Sequence, residues 1–196
     1  MAVPPKHKKK QAHFIKAWIR SPMKMGAVVP SSRFLARAMV QQIDSAQEGA
    51  VIELGAGTGV VTHELLKYGL PVKDIIIIER EPRLHALLKA QYPSVNILCA
   101  DAAHLDEVLK KHGITKVNAI VSSLPLLSMP KALRGAIVSQ MADAIKEDGR
   151  IIQFTYGPKS PIGRYLLEKC NLYGRRVKSV FVNMPPAHVW VYYRSL

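Results

Sequence analysis

Apolar and polar positions from residue 50 onward follow two alternating rhythms. "AVIEL" (residues 50–54) is a short apolar run bounded by turn residues, the pattern of a strand buried on both faces. A Gly-rich turn follows, then "VVTHELLKYG" (60–69), which reads as a helix. "DIIIIE" (74–79) is a second strand, followed by a helix around residues 82–91, and "SVNILCA" (94–100) is a third strand. "VNAIVS" (117–122) is a fourth. Leu133, Ile137, Met141 and Ile145, spaced by four, put one apolar face on a helix over residues 130–146, with Gly149 as its stop. "RIIQFTY" (150–156) is a fifth strand and "SPIGRYLLEKC" (160–170) the next helix. "VKSVFVNM" (177–184) and "HVWVYY" (188–193), joined by "PPA", form an antiparallel pair. Regular strand–helix alternation predicts an α/β fold, with a parallel sheet covered on both faces and a mixed edge at the closing hairpin.

The chain before this pattern is different. Residues 1–43 hold nine Lys or Arg and no acid, within a chain of 28 Lys plus Arg against 14 Asp plus Glu, net +14. Such an arm is attracted to polyanions, either nucleic acid or an anionic membrane. On a helix over residues 8–20, Phe14, Trp18, Ile15, Ile19 and Ala12 share one face. Lys16, Lys9, Arg20, His13 and Lys10 share the other, while Lys8 intrudes on the apolar side. Basic amphipathic helices with aromatic anchors lie in membrane interfaces. Docking on the domain core and an RNA-binding arm are the other readings. Residues 1–24 are therefore expected to be a membrane-binding arm, and 25–196 the folded domain. "GAVVPSS" (26–32) is expected to start the helix that carries residues 33–40, with Ser31 or Ser32 as its N-cap, and to lid the site.

Length and composition narrow the class. The 196 residues, 48% of them hydrophobic, favour one globular domain. The longest aliphatic run, residues 75–78, is far short of the ~20 apolar residues a bilayer span needs. Lys16 and Arg20 break any apolar segment near the start, so no secretory signal is read. Cys99 and Cys170 fall in no metal or redox spacing, which suggests a reducing compartment, and no metal site is expected.

The chemistry begins at "ELGAGTG", residues 53–59. Small residues let the backbone turn tightly between strand and helix and let a ligand approach main-chain N–H groups. The glycines at 55, 57 and 59 give G-x-G-x-G, which departs from the dinucleotide fingerprint. Glu53 just before them would repel a pyrophosphate and attract a cationic ligand. Glu79 closes the second strand, where a carboxylate can accept both hydroxyls of a ribose. Asp101 closes the third strand, where it can accept from an adenine amino group beside the Ala102 N–H.

These residues together resemble the S-adenosyl-L-methionine site of class I methyltransferases, over roughly residues 50–196. The resemblance implies a Rossmann-like, seven-stranded, mostly parallel sheet with an antiparallel last strand. It implies that Glu53, Gly55, Gly57, Thr58 and Gly59 face the methionine part of the cofactor. Glu79 would hold the ribose and Asp101 with Ala102 the adenine, Arg80 would be a further cofactor contact, and Ser122 would lie near the methyl group. The product would be S-adenosyl-L-homocysteine.

The acceptor is addressed by "SSLPLLSMP" (122–130). Adenine N6-methylating enzymes carry Asn/Asp-Pro-Pro-aromatic or Asn-Leu-Pro-aromatic after the fourth strand, so that an amide or acid accepts from the base and a ring stacks on it. The matching positions here are Ser123, Leu124, Pro125 and Leu126. Only the proline persists, which argues against a nucleic-acid acceptor. Nearly the whole chain, including "SPMKMGAVVPSSRFLARAMV" (21–40), "SSLPLLSMP", "QFTYGP" (153–158) and "MPPAHVW" (184–190), resembles bacterial phospholipid N-methyltransferases of the PmtA type. That resemblance implies methylation of phosphatidylethanolamine, up to three times, to phosphatidylcholine, with ribosomal RNA adenine N6-methylation as the alternative. Tyr156, Ser122 and Ser123 are the candidate catalytic residues. Leu124 and Leu126 are expected to edge the acyl chains, and Lys159 and Arg164 to meet the lipid phosphate. His188 and Tyr165 are weaker candidates for headgroup contact. The expected partners are anionic membrane lipids, with no protein partner. The expected location is the cytoplasm, peripherally on the inner face of the bacterial cell membrane.

Overall fold

The computed structural model describes residues 33–145, 148–183 and 185–195. The expected N-terminal helix and its anchors (Lys9, Lys10, Phe14, Ile15, Lys16, Trp18) lie outside the described residues, as does the "GAVVPSS" lid. The described chain begins with α1 (Arg33–Val40) and then alternates: β1 (Ala50–Leu54), α2 (Val60–Lys67), β2 (Ile75–Glu79), α3 (Pro82–Gln91), β3 (Asn96–Cys99), α4 (Leu105–Lys111), β4 (Val117–Ser122), α5 (Lys131–Ala144), β5 (Arg150–Thr155) and α6 (Arg164–Lys169). It closes with β6 (Leu172–Val180) and β7 (Ala187–Arg194).

All seven strands form one sheet in the order β3-β2-β1-β4-β5-β7-β6. The first five pair in parallel, and β7 runs antiparallel to both β5 and β6. This is the class I methyltransferase topology that the resemblance implied. Every residue of β2 and β4 is buried, as strands covered on both faces must be.

Period-two alternation divides the core into two halves. Val51, Ile75, Ile77, Ala119 and Val121 pack with α1, α2 and α3. Ile52, Leu54, Ile76, Ile78 and Ile120 pack with α4 and α5 on the opposite face. Asn118, buried in β4, donates to the carbonyls of Asp44 (2.8 Å) and Gln47 (2.7 Å), so the loop after α1 is fixed to the centre of the sheet. Arg150 adds an ion pair to Asp44 at 3.1 Å. Among the described residues, no helix is long and apolar enough to cross a membrane.

Three elements differ from the periodicity reading. The helix expected over 160–170 is confined to Arg164–Lys169. Pro161 and Gly163 precede it, and the Ser160 hydroxyl holds this lead-in by donating to the Ile162 carbonyl (2.6 Å). The strand expected over 177–184 spans Leu172–Val180, with a register shift between Arg176 and Lys178. Its basic, half-exposed residues mask the strand pattern, as edge positions do. Phe181 to Asn183 lie past its end, in the turn to β7. The α5 helix runs Lys131–Ala144, inside the 130–146 expected.

The Tyr192 ring covers Gly174 on the neighbouring edge strand, while its hydroxyl meets Ser160 Oγ at 2.8 Å. A methyl group at 174 would strike that ring. Gly174→Ala is therefore expected to cost about 1–3 kcal/mol and to lower Tm by about 2–10 °C, measured by calorimetry. An unchanged Tm would mean the edge strand yields freely.

Candidate active site

Parallel strands bring their carboxyl ends to one edge of the sheet, where ligands bind in doubly wound folds. The turn after β1 is built for close approach. Gly55, Gly57 and Gly59 all have left-handed φ, at 73°, 57° and 84°. At Gly57 there is open space where a side chain would stand, so a ligand can reach the backbone. At Gly55 a side chain would displace the end of Leu124, and the positive φ itself favours glycine.

Glu79, at the end of β2, ties this turn down. Its Oε2 accepts from the Gly57 N–H (2.9 Å) and its Oε1 from the Glu81 N–H (2.8 Å). Each carboxylate oxygen has a further lone pair, so two ribose hydroxyls can still be accepted. Asp101 is similarly engaged: Oδ1 accepts from the Ala103 N–H (3.0 Å) and Oδ2 pairs with Arg80 Nη1 (3.0 Å). Arg80, expected as a cofactor contact, reaches Asp101 across the strand ends. Gly55, Gly57, Glu79, Arg80, Asp101, Ala102, Ser123 and Leu124 all line one cleft, with Leu84, Met129, Leu133 and Ile137 as apolar walls. Thr58 is exposed beside the turn. Tyr156 lies outside the lining of this cleft.

Glu53 is fully buried at the end of β1. Burial pushes its carboxyl up to about 8; a hydrogen bond from Thr62 opposes the rise, and the nearby Glu79 charge adds to it. Thr62 Oγ1 donates to Oε2 at 2.6 Å, while Oε1 is buried without a partner. Ser123 Oγ and Gln153 Oε1 are also buried without partners. The three groups stand on or just beyond β1, β4 and β5, which are adjacent strands. Buried polar atoms without partners cost free energy and so mark places where a polar ligand is expected. A glycine cradle, an ionisable carboxyl at its floor and paired acids beyond it fit S-adenosylmethionine, whose methionine end carries positive charge.

Thr62 and Gln153 escaped the sequence reading. Gln153 Nε2 donates to the carbonyl of Leu124 (3.0 Å) and of Phe154 (3.0 Å), fixing the segment after β4. A lone Gln within the apolar "RIIQFTY" was the available signal. Thr62 gave none, since a threonine in a first helical turn is ordinary.

The expected lip is corrected in part. Leu126 turns inward in a single 3-10 turn and is buried in the core, while Leu127 is exposed instead. Leu124 is half-buried over the glycine turn. Ser122 is fully buried, and its Oγ accepts from the Leu124 N–H at 3.4 Å. Tyr156 follows β5, packs edge-on against Phe154 (5.3 Å between ring centroids), and has Asn183 as its polar neighbour. Burial raises its hydroxyl pKa above the ordinary value. Lys159 is exposed. Arg164 is engaged with Glu168 one helical turn away at 2.8 Å, and that pair is exposed. His188 bonds Ser179 Oγ (2.9 Å), and Tyr165 is exposed on α6.

Comparison with known proteins agrees with this geometry. The ornithine lipid N-methyltransferase of Singulisphaera acidiphila is 29% identical over 137 residues, covering 68% of this chain and 71% of that protein. The ribosomal RNA small subunit methyltransferase A of Hydrogenobaculum sp. is 32% identical over 75 residues, covering 38% of this chain and only 29% of its own length. Among solved structures, the Synechocystis PCC 6803 magnesium protoporphyrin IX methyltransferase with bound SAM shares the fold at a TM-score of 0.69, with 13% identity and both chains fully covered. A Burkholderia thailandensis 1,6-didemethyltoxoflavin-N1-methyltransferase with bound S-adenosylhomocysteine aligns at 0.68, with 15% identity, over 100% of this chain and 93% of that one. Residues 30–143 match the family described as ribosomal RNA adenine dimethylase, and the chain belongs to that family of S-adenosylmethionine-dependent methyltransferases.

Proposed function

We propose that this methyltransferase acts on the amine of a membrane lipid: phosphatidylethanolamine and its mono- and dimethyl derivatives, giving phosphatidylcholine at the surface of an anionic membrane. The observation that carries the reading is the segment after β4. Where a flipped adenine needs an amide and a stacking ring, this chain has Ser123 and a core-buried Leu126. The similarity to an ornithine lipid N-methyltransferase supports it, since that match spans 68% of the chain. The net charge of +14 suits either polyanion. The family match itself favours the second reading, ribosomal RNA adenine methylation.

The cofactor, held by the glycine turn with Glu53, Glu79 and Asp101, supplies an electrophilic sulfonium methyl group. The chain's residues must then align a neutral amine with it, because in-line displacement gains much of its rate from positioning. Ser123 Oγ and Gln153 Oε1 are buried polar atoms able to orient the amine N–H groups. Tyr156 stays protonated through the physiological range because burial raises its pKa, which makes it a poor base. It is suited instead to donate a hydrogen bond or to face a methylammonium cation with its ring. Water then takes the amine proton. Lys159 is a cation for the lipid phosphate.

Labelled cofactor offered with phosphatidylethanolamine vesicles, ornithine lipid vesicles and small-subunit ribosomal RNA tests the acceptor. Incorporation into phosphatidylethanolamine is expected, incorporation into ornithine lipid alone moves the assignment to that headgroup, and incorporation into RNA alone overturns the lipid reading. Tyr156→Phe is expected to keep lipid turnover within about threefold, whereas Tyr156→Ala loses about tenfold or more through loss of the ring.

Glu53 makes the site pH-dependent. Its folded pKa of about 8 lies above the ordinary carboxyl range, so the ligand-free fold binds a proton that the unfolded chain releases. Stability from this group is therefore lost as pH rises from the ordinary range through about 8. A cationic ligand reverses the preference and expels the proton. Cofactor affinity is expected to rise with pH up to about 8 and then level off, and Glu53→Gln should flatten that profile while stabilising the ligand-free protein at alkaline pH. Titration calorimetry in buffers of different ionisation enthalpy reads the proton release; none in the parent would rule out an ionising Glu53.

A further inference from the structure

The edge of the sheet that holds the cofactor cleft also carries exposed apolar residues that the methyl-transfer chemistry does not use. β4, β5 and β6 point the same way, since β7 is antiparallel to β5 and to β6. Their carboxyl ends therefore share the edge of the sheet that holds the cofactor cleft. Past β4 stands Leu127, 53% exposed; past β6 stand Phe181 and Val182, 76% and 71% exposed. Local contacts connect them. Leu127 packs beside Gly157, whose neighbour Tyr156 faces Asn183 of the β6–β7 turn. Asn183 is buried and donates to the Pro185 carbonyl at 2.7 Å, so the turn is braced from within while its tip projects. The register Thr155–His188 and Ser179–His188 sets this tip level with the end of β5.

Lys159 lies two residues past Gly157 and Lys178 three residues before Phe181, both exposed. Neither has an ion-pair partner among the described residues. Surface hydrophobics scattered singly need no explanation, but two adjacent side chains as exposed as Phe181 and Val182, at the tip of a braced turn, do. An RNA strand would use rings for stacking and gain little from Val182 and Leu127. Apolar side chains flanked by unpaired cations are instead complementary to an anionic bilayer, whose headgroups meet the lysines and whose acyl boundary takes the wedge.

We propose that the β6–β7 turn, through Phe181 and Val182 with Leu127 beside it, is a wedge that inserts into the interface of an anionic membrane. It lowers the mouth of the site onto the lipid layer, and Asn183 passes its position to Tyr156. The proposal rests on the lipid acceptor proposed above and adds a second docking element to the N-terminal arm.

Two readouts on the full chain test it. Val182→Cys, in a Cys99→Ser/Cys170→Ser background, is labelled with an environment-sensitive fluorophore. Phosphatidylglycerol–phosphatidylethanolamine vesicles are expected to shift its emission to the blue, and spin-labelled acyl chains to quench it. Emission unchanged on vesicles that have bound the protein, or changed by ribosomal RNA instead, overturns the wedge. In the second readout, Phe181→Ser/Val182→Ser should lose about tenfold or more of its turnover on vesicles. Its turnover on a monomeric short-chain phosphatidylethanolamine should stay within about twofold of the parent. Equal loss on both substrates, or loss on neither, overturns the proposal. A parent chain that methylates neither lipid form refutes the acceptor assignment instead, and the fluorophore then decides the wedge by itself.

Discussion

One carboxylate organises the cofactor end of the molecule. Glu79 accepts from Gly57 on the turn after β1 and from Glu81 at the start of α3, so both βα connections are held by the same two oxygens. Such charge-assisted bonds are stronger than neutral ones. They hold Gly57 in a left-handed conformation with open space above it, and they set the turn at a fixed height over the buried Glu53. Replacing Glu79 by an apolar residue would release two backbone N–H groups, and the cradle with them. The Arg80–Asp101 pair repeats the device one strand further out, more exposed and so more weakly.

This arrangement explains which parts were legible in the sequence. Strands β1, β2, β4 and β5 announce themselves as continuous apolar runs because parallel strands are buried on both faces. The glycines and three strand-end acids were equally visible, since tight turns and ligand-facing carboxylates restrict residue type. Edge strand β6 was partly hidden, because Arg175, Arg176 and Lys178 interrupt any apolar alternation. The direction of Leu126 was invisible for a different reason. A single 3-10 turn decides whether Leu126 or Leu127 enters the core, and both are leucine. Thr62 and Gln153 act on the site through tertiary contacts, which leave little trace in local pattern.

Family membership and acceptor choice are separable on this scaffold. The shared machinery, from the glycine turn to Asp101, lies on β1, β2 and β3. The elements proposed to face the acceptor follow β4, β5 and β6. A family whose members methylate adenine in ribosomal RNA can therefore accommodate another amine by changing a few residues at the second set of strand ends, leaving the first untouched. The longer match to a lipid-methylating relative than to the Hydrogenobaculum RNA methyltransferase fits that division.

The same division bears on how an amine becomes a nucleophile here. In RNA the adenine amino group is already neutral, and its enzymes supply an acceptor and a stacking ring. A lipid amine is protonated in water, so the site must favour its neutral form before any displacement. Exposed carboxylates would work against that by stabilising the ammonium. The side proposed to face the acceptor has instead buried hydroxyl and amide groups at Ser123, Gln153 and Tyr156. Glu53 stands apart from them: burial holds its pKa up to about 8 in the ligand-free protein, and a bound cationic cofactor would draw it to the carboxylate and balance that charge. On the lipid reading proposed above, desolvation by these neutral groups would lower the pKa of an incoming amine. On that proposal, bringing a membrane down onto the site would serve the chemistry as well as substrate delivery.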